Sequence, residues 1–471
     1  MISTCPRIVV AGTNSGVGKT SLTLGLVRAL SARGLRVQTF KVGPDYLDPT
    51  YLSLASGGPC YNLDGWMQGT EYVRDLFVRT TADADVAIVE GVMGLFDGAE
   101  PGGIAGSTAE IAILLNAPVL LVVNAHGLGG SLAALVKGYS EFEPQVQLIG
   151  IVANHCGSAR HRMWLTESLR AAGLPDLVAA IPRGAFPSLP SRHLGLVTAD
   201  ARILTSQVLD QLAATLETHG SLETLMERLR DVPTIQAPDP NPNQASAKTS
   251  VRIGLAWDKA FHFYYQDNLE ALAARGADLV LFSPLLDERL PGGLDGLYIG
   301  GGYPEEFSEE LAANKTMLRD IRDFSHSGKP LYAECGGLMY LAQGIETLDG
   351  KRYPLVGVLP EWVRMLDRRK SLGYVEVSLT RDSLLGAAGS TLRGHEYHYS
   401  ELLGDPTADQ QWTTSYRVER RLREAEESEG FQSGNTLASY IHVHLASRPD
   451  SVERFVAACQ AARKPVSETC K

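Results

Sequence analysis

Two short stretches of this 471-residue chain set reactive side chains among glycines, one suited to holding phosphate and one to activating a thiol. The first is Gly12-Thr-Asn-Ser-Gly-Val-Gly-Lys19-Thr20, between the apolar run Arg7-Ile-Val-Val-Ala11 and the helical periodicity of Ser21 to Arg33. Strand, glycine-rich loop and helix in that order make a phosphate cradle. Glycines let backbone N–H groups turn inward, Lys19 reaches the β- and γ-phosphates, and the Thr20 hydroxyl ligates Mg²⁺. The helix N-terminus adds partial positive charge. Five residues separate Gly12 from Gly18, one more than the common pattern allows, and an ordinary glycine-rich turn is the plain alternative. The Gly-Lys-Thr context argues against it. Candidate ATP contacts are Asn14, Gly16, Val17, Gly18, Lys19 and Thr20.

The second stretch is Pro330-Leu-Tyr-Ala-Glu-Cys335-Gly-Gly-Leu, a cysteine at the corner between strand and helix. A nucleophile there stands on a tight turn, and the helix N-terminus favours its thiolate. The Gly336 N–H can face an oxyanion. Gly301 and Gly302, in the post-strand loop Gly300-Gly-Gly302, are the candidates for a second donor. Ala438-Ser-Tyr-Ile-His442-Val-His444 places two histidines on one face of a strand. One of them is the expected base, with His442 ranked above His444; a metal pair would need a third ligand nearby. An inert core thiol is the commonest fate of a cysteine, and the elbow sequence is what sets Cys335 apart.

Magnesium beside phosphates needs only one or two carboxylates. Glu90 directly follows the apolar Val86-Ala-Ile-Val89, the place for a strand-end metal ligand. Asp45, Asp48 and the cation Lys41 lie in Lys41-Val-Gly-Pro-Asp-Tyr-Leu-Asp-Pro49, where turn chemistry alone also explains aspartate. Arg393-Gly-His-Glu-Tyr-His-Tyr-Ser400 concentrates polar groups without a spacing that names a chemistry.

Elements of two kinds must position these residues. Both halves alternate strand-like runs with helical periodicity, and the runs are continuously apolar, as in parallel sheets covered on both faces. The proline-rich Gln236-to-Ser250 reads as a linker. The expected organisation is α/β in two domains, residues 1–235 and 251–471, each a mainly parallel sheet covered by helices, joined by linker 236–250. Ligands of such sheets bind beyond the carboxyl ends of the strands. Composition is ordinary for a globular protein, 44% hydrophobic and 21% charged, which excludes a disordered chain. Lys plus Arg number 43 against 54 Asp plus Glu, a net charge of −11 that disfavours nucleic-acid and anionic-membrane binding. No run approaches the ~20 apolar residues of a spanning helix. Met1 to Ile8 shows no secretory leader pattern. Six scattered cysteines without Cys-x-x-Cys spacing fit a reducing cytoplasm.

These motifs, with Glu90-Gly-Val-Met-Gly-Leu-Phe-Asp-Gly98 and Tyr440-Ile-His-Val-His444, together resemble the cobyrinic acid a,c-diamide synthase family over nearly the whole chain. That family joins a dethiobiotin-synthetase-like P-loop NTPase domain to a class I glutaminase domain. The resemblance implies ATP- and Mg²⁺-dependent amidation of the a and c carboxylates of a corrinoid, with L-glutamine as ammonia donor. Cys335 would be the glutaminase nucleophile and His442 the family's histidine, with His444 where related glutaminases carry glutamate. Thr20 and Glu90, with Asp45, would hold Mg²⁺. Asn154 resembles the residue that reads the adenine edge, and Lys41, Arg192 and His193 would meet substrate carboxylates. Asn124 departs from the aspartate expected at its strand end. A homodimer is held open; no residue pattern fixes the oligomeric state.

A carboxylate must be activated before ammonia attacks it, so ATP should form an acyl phosphate, and ammonia should travel in a closed passage between domains. The near rival is a,c-diamidation of another tetrapyrrole such as nickel-sirohydrochlorin. A rival of another class is a P-loop switch with an inactive glutaminase-like module, against which the intact Cys335 and histidines stand.

Overall fold

Seven apolar runs of the first half pair side by side and all in parallel. In spatial order they are Cys60–Leu63, Val37–Val42, Val86–Glu90, Arg7–Gly12, Val119–Asn124, Leu148–Cys156 and Leu177–Pro182. The computed structural model describes residues 2–99, 102–189, 191–192, 195–196, 204–238, 250–420 and 426–463. They form two compact units, Met1–Asn241 and Pro242–Lys471. Most of the expected linker, residues 239–249, lies outside the described residues; Gln236 pairs antiparallel with Ile2 in the first unit. Among the described residues no helix is long and apolar enough to cross a membrane.

The continuous apolarity of the strands has a direct cause: each face of the sheet is covered. Val9, Ala11, Val89 and Leu121 pack under helices carrying Val73, Ile111, Leu132 and Leu165. Their neighbours Ile8, Val10, Ile88 and Leu120 point the other way, under Leu22, Leu52, Leu212 and Leu225. Strand order reverses beside the central Arg7–Gly12 strand, so the crevice at its carboxyl end opens where ligands of such sheets bind.

One buried charge braces the opposite end. The Arg7 side chain is fully buried and donates to the carbonyls of Cys5, Leu115, Asn116 and Pro233. It joins the start of the central strand to two distant turns.

The second unit has a ten-stranded sheet. Ala277–Phe282, Val251–Ala256, Gly296–Ile299, Leu331–Glu334 and Thr436–Ser439 run parallel. Beyond them Glu427–Ser433, Thr413–Arg420, Ser371–Leu379, Thr391–His398 and His442–Val443 continue antiparallel. Thr436–Ser439 and His442–Val443 lie five places apart in the sheet, yet only Tyr440 and Ile441 separate them in sequence. Two or three residues span at most ~10 Å, whereas five strand spacings make ~24 Å across a flat sheet. The antiparallel half must therefore curl back on the parallel half. That curl returns His442 to the strand end where Cys335 stands.

Replacing Arg7 by Met should cost about 2–4 kcal/mol, because several buried carbonyls lose their donor at once. A fall in the urea midpoint of the first unit checks this; an unchanged midpoint contradicts the bracing role.

Candidate active sites

In the first unit the loop after Arg7–Gly12 turns through left-handed backbone at Gly16 (φ 78°) and Gly18 (φ 98°). A side chain at Gly18 would also collide with Asn154, whose Nδ2 lies 2.4 Å from the ideal Cβ position. The Asn154 amide donates 2.8 Å to the Val17 carbonyl. Its oxygen accepts the His155 N–H (2.9 Å), so the side chain ties the loop to the end of its own strand. Asn14 is exposed and donates to the Ser15 carbonyl.

Helix Lys19–Ala32 starts directly behind the loop. Lys19 Nζ donates to the carbonyls of Met93 (2.5 Å) and Asn14 (3.3 Å). Burial, with Lys41 as the next cause, holds its ammonium down to about 8. The Thr20 hydroxyl donates 2.6 Å to Glu90 Oε1 at the end of Val86–Glu90. Glu90 Oε2 is buried and has no hydrogen-bond partner among the described residues. Burial outweighs the Lys41 charge and raises Glu90 to about 7, with Asp48 adding to the rise. Thr20 and an unsatisfied Glu90 oxygen at a phosphate loop fit a divalent cation. No group of three His, Cys, Asp or Glu able to hold a metal occurs among the described residues, so phosphate and water would complete its shell.

Lys41 is nearly fully buried, and its Nζ reaches Asp48 Oδ2 (2.5 Å), Glu90 Oε1 (3.1 Å) and the Gly91 carbonyl (3.1 Å). It neutralises the carboxylates beside the loop. Asp45 accepts the backbone N–H groups of Leu47 (2.8 Å) and Asp48 (3.0 Å), so it shapes the turn that presents Asp48. Asn124 accepts the His126 N–H in the same local manner. Arg192 is described in backbone alone, paired with Gly195, and His193 lies outside the described residues.

In the second unit Cys335 sits at φ 48°, ψ −102°, between Leu331–Glu334 and the helix Gly336–Leu341. Its N–H donates 2.7 Å to the Ser439 carbonyl on the neighbouring strand, and its Sγ lies 3.9 Å from the Tyr397 carbonyl. Only glycine fits next to it. A Cβ on Gly337 would stand 2.2 Å from the Ile299 carbonyl oxygen, and one on Gly336 would stand 3.0 Å from the Gly302 nitrogen. The two donor loops therefore lie side by side. Burial, and next the Glu305 carboxylate, push the Cys335 thiol up. The helix N-terminus does not overcome that burial, so the thiol needs a base to take its proton.

His442 is buried against this loop: a Cβ on Gly301 would stand 2.4 Å from its Cε1 and 3.1 Å from its Nε2. Its ring stacks on His395 at 5.1 Å and 14° between planes. Its Nδ1 lies 3.8 Å from Glu334 Oε2. The strand ends at Val443, and His444 instead caps the short helix Leu445–Ser447, with Nε2 3.4 Å from Asp267 Oδ2.

Three carboxylates escaped the sequence reading. Glu334 was visible only as the neighbour of Cys335. Glu396 stood in the Arg393-to-Ser400 stretch; it is buried, and the nearby His398 with hydrogen bonds from Arg420 and Ser371 outweighs that burial and holds it down to about 2. Glu429 accepts from Ser439 Oγ and the Tyr440 N–H, bracing the carbonyl that holds Cys335, and burial raises it to about 7. Spacing gave no signal for it.

Both units match known families. Residues 252–450 match the family described as the CobB/CobQ-like glutamine amidotransferase domain. Residues 8–197 match the CobQ/CobB/MinD/ParA nucleotide binding domain. The class is thus a nucleotide-binding unit joined to a glutamine amidotransferase unit. A Syntrophotalea carbinolica protein named cobyrinate a,c-diamide synthase is 56% identical over 97% of this chain and 99% of its own length. Proteins of that name from Leptospira interrogans and Caldanaerobacter subterraneus are 42% and 40% identical, each over 96–97% of this chain and 98–99% of theirs. The chain belongs to the cobyrinate a,c-diamide synthase family.

Glu429 carries a pH prediction. Burial raises it to about 7 from the ordinary 4.5, so the folded state holds the extra proton between them. The contribution of Glu429 to the stability of the second unit should fall as pH rises from 4.5 to 7 and then level off, opposite in sign to that of buried His395, which burial holds below its ordinary range. Glu429→Gln should flatten that fall in urea titrations across this window; an unaltered slope would exclude Glu429 as its source.

Proposed function

We propose that this chain uses ATP and glutamine to amidate the a and c side-chain carboxylates of cobyrinic acid. The observation that carries this reading is 56% identity along 97% of the chain to a protein named for that reaction. In the first unit the loop Gly12 to Thr20 holds the triphosphate of ATP, and Lys19 leaves its carbonyl partners to meet the β- and γ-phosphates. Bound Mg²⁺ supplies charge neutralisation across those phosphates. Thr20 and Glu90 hold the cation, with the Asp45 turn presenting Asp48 nearby. The substrate carboxylate oxygen attacks the γ-phosphorus, ADP leaves, and an acyl phosphate forms. Ammonia then adds to the acyl carbon and phosphate departs. Asn154 braces the loop at the adenine side. The ion pairs of Lys41 favour a part in holding Glu90 and Asp48, while Arg192 and His193 are the cations proposed to meet the corrinoid carboxylates.

In the second unit His442 takes the Cys335 thiol proton, and sulfur attacks the glutamine side-chain carbonyl. Gly336 with Gly301 and Gly302 offers backbone N–H groups to the oxyanion. The imidazolium returns its proton to the leaving nitrogen, ammonia departs, and water clears the thioester as glutamate.

Cys335→Ala should abolish glutamine-dependent amidation while free ammonia still supports it. Loss of both activities in a folded variant would contradict the division of labour. Lys19→Ala should remove tetrapyrrole-dependent ADP release and leave glutamine hydrolysis intact; unchanged ADP release would refute the loop's role.

A further inference from the structure

A histidine that takes a proton from a thiol works best when a third group fixes its tautomer and faces the imidazolium that forms. Position 444, two residues beyond His442, holds a histidine engaged with Asp267, and so supplies no carboxylate to His442. The side chain facing Nδ1 of His442 is Glu334, the residue immediately before the nucleophile, with Oε2 at 3.8 Å. Both side chains are only 2% exposed. No lysine or arginine forms an ion pair with Glu334 among the described residues; His442 is the one basic side chain at that range there.

The carboxylate is fixed from three sides. Tyr298 donates its hydroxyl to Oε2 (2.8 Å), Tyr332 donates to Oε1 (2.5 Å), and the Val443 N–H donates to Oε1 (3.0 Å). The last bond ties Glu334 to the residue next to His442, so carboxylate and imidazole are held on one short frame. The opposite edge of the ring, with Cε1 and Nε2, faces Gly301 in the glycine loop. The ring thus stands between a buried carboxylate and the loop beside Cys335.

We infer that Glu334 is the positioning carboxylate of the glutaminase centre, accepting the His442 Nδ1–H so that Nε2 is left to take the Cys335 proton. The inference rests on the glutaminase reading of the second unit. A separation of 3.8 Å is an ion-pair distance, and it closes to a hydrogen bond when glutamine is seated, as catalytic contacts do on substrate binding. Proton count is conserved: one proton passes from Sγ to Nε2 and on to the leaving nitrogen, while the Nδ1 proton stays with His442.

The test is Glu334→Gln in the full chain, with Glu334→Asp and Cys335→Ala alongside. The kcat for glutamine hydrolysis should fall roughly 10²- to 10⁴-fold, with KM for glutamine held within about threefold. Ammonia-supported amidation should be unchanged, and Glu334→Asp should recover at least about tenfold over Glu334→Gln. A merely structural residue would raise KM or lower the melting temperature, with no advantage for aspartate. Should Glu334→Gln fail to fold, Tyr298→Phe loosens Oε2 while leaving the charge; a loss of about three- to tenfold in kcat at constant KM supports the role, and no change overturns it. A folded Glu334→Gln with kcat within about threefold of the parent also overturns it, provided Cys335→Ala is inactive with glutamine. If Cys335→Ala still hydrolyses glutamine, the glutaminase reading itself fails and the inference with it.

Discussion

The second unit depends on one strained turn. Cys335 is held at φ 48° by its 2.7 Å hydrogen bond to the Ser439 carbonyl and by glycines that let the backbone of Ile299 approach. A left-handed, non-glycine residue costs on the order of 1–3 kcal/mol and persists only where its surroundings over-determine it. Here they do. Glu429 fixes Ser439 and Tyr440, Ser439 fixes Cys335, and the curl of the sheet brings His442 back after two residues. Removing any one of these constraints would let the turn relax and shift Cys335 relative to His442 and the Gly301–Gly302 loop.

The first unit solves a different problem, the storage of charge beside a phosphate site. Lys41 and Glu90 are buried with the half-buried Asp48 beside them, and each carboxylate makes the burial of the Lys41 ammonium tolerable. Little of their surface is exposed, so these charges interact more strongly than on a surface. Burial is also what leaves Glu90 near 7 and Lys19 near 8, groups whose protonation is sensitive to an arriving anion and cation. Phosphate chemistry gains most where such a field is already oriented before substrate arrives.

Much of this was legible in the sequence because local physics wrote it there. Strands buried on both faces must be continuously apolar, and Ile8 to Ala11 and Val86 to Val89 are. A phosphate loop needs glycines at positive φ, and Gly16 and Gly18 supply them. The Cys335 turn likewise showed as Glu334-Cys-Gly-Gly337. Features that depend on distant partners left no such trace. The antiparallel half, with burial alternating along Ser371–Leu379, carries a weaker pattern than the parallel runs. Lys41 reads as a free cation until Asp48 and Glu90 are folded against it. Glu334 meets the Val443 N–H across 109 positions, and spacing cannot announce a contact of that kind.

In the proposed function one chain couples an acyl-phosphate site to a glutaminase acting on a corrinoid. The most direct measurement is ADP release with Mg-ATP and glutamine, offering cobyrinic acid and nickel-sirohydrochlorin in parallel and weighing the products. Cobyrinic acid should drive ADP release and gain two amides. Preference for the nickel compound would overturn the corrinoid substrate while keeping the chemistry, and turnover of neither would overturn the proposed amidation.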